Sequence, residues 1–167
     1  MRADIIEGHI ITEGSRAIGI NEKSYFGIRD GDRVELSLIE ATYLLSKDRL
    51  KIFKDNQPLT INHFKEKLLR KGIYQKYIVY QDLRDRGYIV KTGFKYGAEF
   101  RLYRRGTIPG QGHSDYLVKV LPEEAALNVL DLSSYVRVAH GVKKILLLSI
   151  VDEEGDITYY NIEWTRP

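Results

Sequence analysis

The chain has 167 residues, 43% hydrophobic and 29% charged, with a formal net charge of +3 and no cysteine. That length suits one large domain or two small ones, and the missing thiols exclude disulfides and thiolate metal sites. No apolar run reaches a membrane span and Met1-Arg2-Ala3-Asp4 opens no signal peptide, so a cytoplasmic protein is expected. A charge of +3 is too mild to mark a nucleic-acid binder, so any such surface must come from local clustering. The single methionine, the absent cysteine and the many charges lean toward a thermophile.

Residues 2–35 read as short strands broken by turns: ADIIEGHIIT, a break at Gly14-Ser15, SRAIGI, the run Tyr25-Phe26-Gly27-Ile28, and Asp30-Gly31-Asp32 before RVELSL. His9 falls on the first of these as a partly exposed sheet residue. Leu36–Lys47 reads as a helix, since Ser37 and Glu40 have capping-box spacing and Leu38, Ala41, Leu44 and Leu45 make one apolar face. A short strand is expected over Arg49–Phe53, then a turn at Asp55-Asn56-Gln57-Pro58. Thr60 caps a second helix to about Lys71, with Ile61, Phe64, Leu68 and Leu69 inward and His63 in its first turn. A third helix spans Tyr74–Arg86, burying Ile73, Tyr77, Ile78 and Leu83, and Gly87 stops it in the left-handed conformation.

The domain boundary is expected inside or just before that third helix, around residues 72–85, giving an N-terminal domain of 1–82 and a C-terminal domain of 83–167. No flexible linker separates the halves, so they are expected to pack together. Beyond the boundary, alternation predicts strands at Phe100–Tyr103 and Tyr116–Leu121. Between them runs a basic, Gly- and Pro-rich loop with Arg104, Arg105, Gly106, Pro109, Gly110 and Gly112, ending at His113. Pro122-Glu123-Glu124 starts a short helical or irregular segment through Leu130. Asp131 or Ser133 then caps a helix to about Gly141, carrying Arg137 and His140. Lys144–Val151 is nearly all apolar and is the candidate for the centre of a sheet. Asp152-Glu153-Glu154-Gly155-Asp156 is an acidic turn, and Ile157–Trp164 returns as an alternating strand. The whole is α+β: a small helix-plus-sheet N-terminal domain beside a C-terminal domain with a central mixed sheet flanked by helices.

Divalent-metal phosphodiesterases need converging carboxylates. Here the acids are scattered or bunched in the 152–156 turn, and His63, His113 and His140 lack zinc-ligand spacing, so no metal or cofactor is indicated. RNA can be cut without metal because its 2′-hydroxyl is the nucleophile. The protein then supplies a base for that hydroxyl, an acid for the departing 5′-oxygen and a cation for the charge on phosphorus. Histidine, with an ordinary pKa near about 6.5, suits the acid, which singles out His113. Lysine or arginine suits the cation. Tyrosine, ordinarily near about 10, needs an adjacent cation to act as base. Residue type alone does not choose among the 12 tyrosines.

FRLYRRG followed by GHSDYLVKV, then VRVAHGVKKILLLSIVD and a late DITYY, closely resembles the archaeal tRNA-splicing endonuclease family. The likeness is carried by the C-terminal half, and the N-terminal half is similar to that family's more divergent amino-terminal domain. Such enzymes use a Tyr–His–Lys triad, and the resemblance assigns Tyr103, His113 and Lys144 to it, with Lys143 as the neighbouring alternative. It implies that Tyr103 activates the 2′-hydroxyl, His113 protonates the leaving oxygen, and Lys144 stabilises the transition state, leaving a 2′,3′-cyclic phosphate and a 5′-hydroxyl. Taken singly, each residue has an ordinary reading as a sheet aromatic, a loop histidine or a solvated strand end. Together, in family order, they point to catalysis.

Arg104, Arg105 and Lys119 are candidates to meet phosphates. By resemblance Arg137 clamps a flipped bulge base, with Arg166 as its partner, since guanidinium stacking suits any base. The resemblance also implies that the acidic turn, through Asp152, Glu153, Glu154 and Asp156, inserts into a basic cleft of another subunit. A homotetramer, built as a dimer of dimers, is therefore expected, or else a heterotetramer with a structural paralogue. The substrate implied is precursor tRNA with a bulge–helix–bulge. The competing reading is a non-catalytic structural or RNA-binding subunit of the same complex.

Overall fold

A computed structural model describes residues 1–167, which divide into two units, Met1–Tyr77 and Ile78–Pro167. The division falls between two residues of one helix. The first unit is built on a six-stranded sheet. Its strands are β1 (Arg2–Ile6), β2 (His9–Glu13), β3 (Ile28–Asp30), β4 (Arg33–Leu36), β5 (Lys51–Lys54) and β6 (Gln57–Leu59), in the order β3-β4-β2-β1-β5-β6. All pairings are antiparallel except β1 with β5. Helices α1 (Ser15–Ser24), α2 (Leu38–Ser46) and α3 (Ile61–Arg70) complete it.

Local chemistry explains most of these boundaries. Ser37 caps α2 through the Glu40 backbone N–H, and the Glu40 carboxylate accepts from the Ser37 backbone in return, a complete capping box. The other carboxylate oxygen of Glu40 accepts from the Gly27 N–H at 2.9 Å, so each oxygen of this buried carboxylate has a donor. Gly27 must be glycine: its φ is +67° and an added Cβ would stand 2.5 Å from the Glu35 carbonyl oxygen. Thr60 caps α3 as expected, accepting from His63 N–H.

Four expectations for this unit need correction. Leu36 does not open a helix but ends β4, because the Ser37 cap starts α2 at Leu38. SRAIGI is not a strand but the body of α1, which buries Ala17 and ends at Tyr25 in the left-handed conformation. A run that short fits either period, and the tertiary setting decided it. The turn after β5 is only Asp55-Asn56, both at positive φ, so Gln57 and Pro58 already belong to edge strand β6, where proline costs no ladder bond. Leu69 faces solvent, because one residue of helix turns it a fraction of a circle from buried Leu68.

Helix α4 (Tyr74–Asp85) spans the division, and Gly87 follows it at φ +91°, the left-handed stop the sequence indicates. The second unit carries β7 (Ile89–Thr92), a 3₁₀ turn at Phe94–Tyr96, β8 (Phe100–Tyr103), β9 (Tyr116–Pro122), α5 (Val129–Gly141), β10 (Ile145–Val151) and β11 (Ile157–Ile162). The sheet order is β11-β10-β9-β8-β7, with β9 and β10 parallel and the other pairs antiparallel. The central strand is therefore β9. β10 lies one place off centre, but it is paired on both sides, which its apolar run demanded. Leu117 of β9 and Leu146 of β10 form a core with Val136 and Ala139 of α5. The cap of α5 is Asn128, whose side chain accepts from Asp131 N–H at 2.8 Å, so the helix starts earlier than Asp131 or Ser133. Pro122 closes β9 and Glu123-Glu124 form a turn, leaving 125–128 irregular. No helix is long and apolar enough to cross a membrane.

Candidate active site

The site forms where β8 ends and β9 and β10 begin. Register brings these three chain ends side by side. Leu102 pairs with Tyr116, and Tyr116 pairs with Ile145, so the next positions along, Tyr103, Asp115 and Lys144, lie abreast. The backbone closes this end tightly: Asp115 N–H donates to Leu102 O at 2.8 Å and Ile145 N–H to Asp115 O at 3.0 Å. With neighbouring strands about 4.8 Å apart, the Tyr103 and Lys144 backbones stand about 10 Å from each other across Asp115. Both side chains belong to the sheet face that α5 covers, because alternation puts Tyr103 with Arg101, and Lys144 with Leu146.

Lys144 is half-buried, and its Nζ donates to the Ser114 carbonyl at 3.0 Å. His113, the residue before Ser114, is exposed at the end of the loop. Lys143 differs from its neighbour: it sits at φ +56° in the turn after α5 and faces solvent. That turn is what directs Lys144 back over the sheet. Tyr103 is only 4% exposed. The Arg101 guanidinium carbon lies 5.8 Å from the centre of its ring.

The loop from Arg104 to Asp115 is organised by its own bonds. Thr107 N–H donates to Arg104 O, Gln111 and Gly112 N–H both donate to Ile108 O, and Pro109 bridges Gly112. Arg104 Nε lies 3.5 Å from Asp115 Oδ1, and the Tyr116 side chain, followed by this carboxylate, raises the pKa of its guanidinium. Arg105 is exposed. Lys119 lies further along β9 with a side chain only 16% exposed. Its ammonium meets Glu99 at 3.5 Å, the Gly97 carbonyl at 3.3 Å and the Tyr135 ring at 4.6 Å, all within this unit. Arg137 on α5 and Arg166 near the C-terminus are both exposed. His140, in the last turn of α5, lies against Trp164 with the rings tilted 40° and their centres 4.8 Å apart.

Asp152, Glu153, Glu154 and Asp156 sit at the far end of the sheet, in the β10–β11 hairpin. Asp152 holds the turn by accepting the Asp156 N–H at 2.8 Å. The structure thus brings together Tyr103, Lys144 and the His113 loop, and it keeps the acidic residues at the opposite end of β10. No cluster of three or more His, Asp or Glu side chains is arranged to hold a metal ion.

Sequence reasoning passed over Arg101, Tyr96 and Asp115. Tyr96 packs on the α5 core cluster. A bond from Lys95, with the charges of Lys144 and Arg101, holds its phenol below the usual range. For Arg101 a signal existed, since the alternation Phe100-Arg101-Leu102-Tyr103 assigns it to the face of Tyr103. Asp115 and Tyr96 gave no such sign, because only pairing between strands and folding back of the 3₁₀ turn bring them near.

Fold and site thus define a two-domain α+β protein whose C-terminal sheet gathers a phenol, an imidazole-bearing loop and an ammonium at one end. Residues 73–159 match the family model for the tRNA intron endonuclease catalytic C-terminal domain, and residues 1–65 match that for the tRNA intron endonuclease N-terminal domain. A tRNA-splicing endonuclease of Methanothermobacter thermautotrophicus is 55% identical over 148 residues, covering 89% of this chain and 87% of that protein. One of Thermococcus gammatolerans is 43% identical over 161 residues, covering 93% and 92% respectively. One of Pyrococcus furiosus is 44% identical over 143 residues, covering 84% and 82%. The chain belongs to the tRNA intron endonuclease family, with both of its domains, and is an endonuclease of tRNA splicing.

Proposed function

We propose that the protein excises introns from precursor tRNA without a metal, cutting at a bulge–helix–bulge through Tyr103, His113 and Lys144. Tyr103 as phenolate takes the proton of the 2′-hydroxyl, and the freed oxygen attacks the adjacent phosphorus. The bond to the 5′-oxygen breaks as that oxygen takes a proton from His113. The products are a 2′,3′-cyclic phosphate and a 5′-hydroxyl. The Lys144 ammonium neutralises charge growing on the non-bridging oxygens. The observation that carries the reading is the Lys144 bond to the Ser114 carbonyl, which ties the cation to the residue beside His113. Register supports it from the other side, since Tyr103 and Lys144 flank Asp115 on one sheet face. The half-buried setting of Lys144 against exposed Lys143 favours Lys144 as the stabilising cation.

Recognition of the substrate is by shape, because the deep major groove of an RNA helix hides its base edges. Two sites at fixed separation would measure the distance between two bulges, which requires assembly. The exposed acidic hairpin is the proposed inserting element, in a homotetramer or in a heterotetramer with a structural paralogue. Arg104, Arg105, Lys119, Arg137 and Arg166 are the proposed RNA-contacting cations. Single-turnover cleavage of a bulge–helix–bulge RNA by the purified protein in EDTA tests the proposal. Cyclic-phosphate and 5′-hydroxyl ends are expected. A folded protein that binds this RNA yet leaves it intact would overturn the proposal in favour of a non-catalytic subunit.

A further inference from the structure

Arg101 is a cation that the chemistry above leaves without a task. It precedes Tyr103 by two residues in β8, on the same sheet face, with its guanidinium carbon 5.8 Å from the centre of the phenol ring. Its Nε is shut away from solvent with no hydrogen-bond partner. An unpaired buried donor on a charged group is costly, so its retention beside a reactive phenol asks for a reason. Arginine stays protonated at any pH the enzyme meets, so this guanidinium brings a lasting positive charge close to the ring of the buried Tyr103.

We propose that Arg101 is a positioning residue for Tyr103: its guanidinium fixes the phenol ring from one side and supplies a constant positive charge that favours the phenolate. The inference rests on the reading of Tyr103 as the general base. Other charged or titratable groups surround the pair. Lys91 of β7 is the cross-strand partner of Arg101. Asp115 at the entry to β9 is engaged by Arg104. Lys144 is engaged by the Ser114 carbonyl, Tyr96 by Lys95, and His113 lies in the loop. From above, α5 turns apolar Val136 and Ala139 to this face. Of these groups, Arg101 is the one whose cation lies over the Tyr103 ring.

The test compares Arg101→Gln and Arg101→Lys in the full chain, by single-turnover cleavage of a bulge–helix–bulge RNA across a range of pH. Arg101→Gln should slow cleavage near neutrality about tenfold and move the rising limb of the profile upward by about one pH unit. Arg101→Lys should recover most of both. In a Tyr103→Phe background, Arg101→Gln should add no further loss, because its effect passes through the phenol. Slowing by one factor at every pH, Lys as slow as Gln, or losses that add in the double variant would each overturn the inference. If Arg101→Gln does not fold, the wild-type protein decides, through the ¹³Cζ titration of Tyr103 assigned by comparison with Tyr103→Phe. Ionisation below the other tyrosines supports the role, and ionisation level with them or above overturns it. An inactive Tyr103→Phe beside a wild-type-like Arg101→Gln removes only Arg101, whereas a fully active Tyr103→Phe removes the base itself.

Discussion

The two ends of the C-terminal sheet use charge in opposite ways. At one end β8 stops and β9 and β10 start, and cations are drawn inward: Lys144 reaches the Ser114 carbonyl and Arg101 lies over Tyr103. At the other end the β10–β11 hairpin holds Asp152, Glu153, Glu154 and Asp156, mostly exposed. There the internal work falls to Tyr159, whose hydroxyl donates to Asp82 at 2.7 Å while Arg86 holds the same carboxylate at 2.6 Å. Charge turned inward, against a carbonyl oxygen or an aromatic ring, concentrates positive potential at that end of the sheet. Charge turned outward on a rigid hairpin is available to another molecule. The same two strands, β9 and β10, serve both ends because a parallel pair places all its strand starts together and all its strand ends together.

The largest effect that would sharpen this contrast lies at the cationic end. His113→Ala or Lys144→Ala should lower single-turnover cleavage by about 10²- to 10⁴-fold while leaving RNA binding and assembly in place. Normal cutting by either variant would break the contrast. Next comes the acidic end: replacing Asp152, Glu153, Glu154 and Asp156 together by their amides should split the proposed tetramer into dimers. Light scattering would show the halved mass, and an unchanged mass would remove the hairpin from assembly.

Between the ends lies a core that both depend on. Leu146→Ala there should cost about 2–5 kcal/mol of stability in chemical denaturation, since Leu146 is fully buried against α5. A cost well under 1 kcal/mol would mean that this core does not hold the site end in place. The smallest effect is expected at Tyr159. Tyr159→Phe should cost about 1 kcal/mol, the worth of one hydrogen bond, without slowing cleavage. Burial, followed by the bond to Asp82, pushes the Tyr159 phenol well above its usual range. In alkali the unfolded chain therefore loses that proton first, so the folded state keeps more protons and stability falls as pH climbs past about 10. The melting temperature of the wild type should drop more steeply than that of Tyr159→Phe above that pH. Parallel curves would show that the phenol does not carry the alkaline sensitivity.

Signals confined to a few neighbouring residues were legible without coordinates. The Ser37–Glu40 box, the Thr60 cap, the Gly87 stop and the alternation of β8 and β9 each depend on bonds made within a turn or two, or on period alone. The family likeness of the C-terminal half was legible too, and the proposed site at Tyr103, His113 and Lys144 comes from it. The helix hidden in SRAIGI, the early start of α5 at Asn128 and the exposure of Leu69 were not, because a short apolar run carries either period until its packing partner is known.

Order along the chain determined which residue types are available to the proposed chemistry: a phenol at the end of one strand, an imidazole in a glycine-relaxed loop, and an ammonium at the start of another. Tertiary structure alone decided their neighbours. Register across β8, β9 and β10 set Asp115 between Tyr103 and Lys144, a left-handed turn at Lys143 sent Lys144 inward, and the pleat laid Arg101 over Tyr103. The physical reason is that composition and period are properties of a segment. Distance and burial exist only once segments remote in sequence have closed on one another.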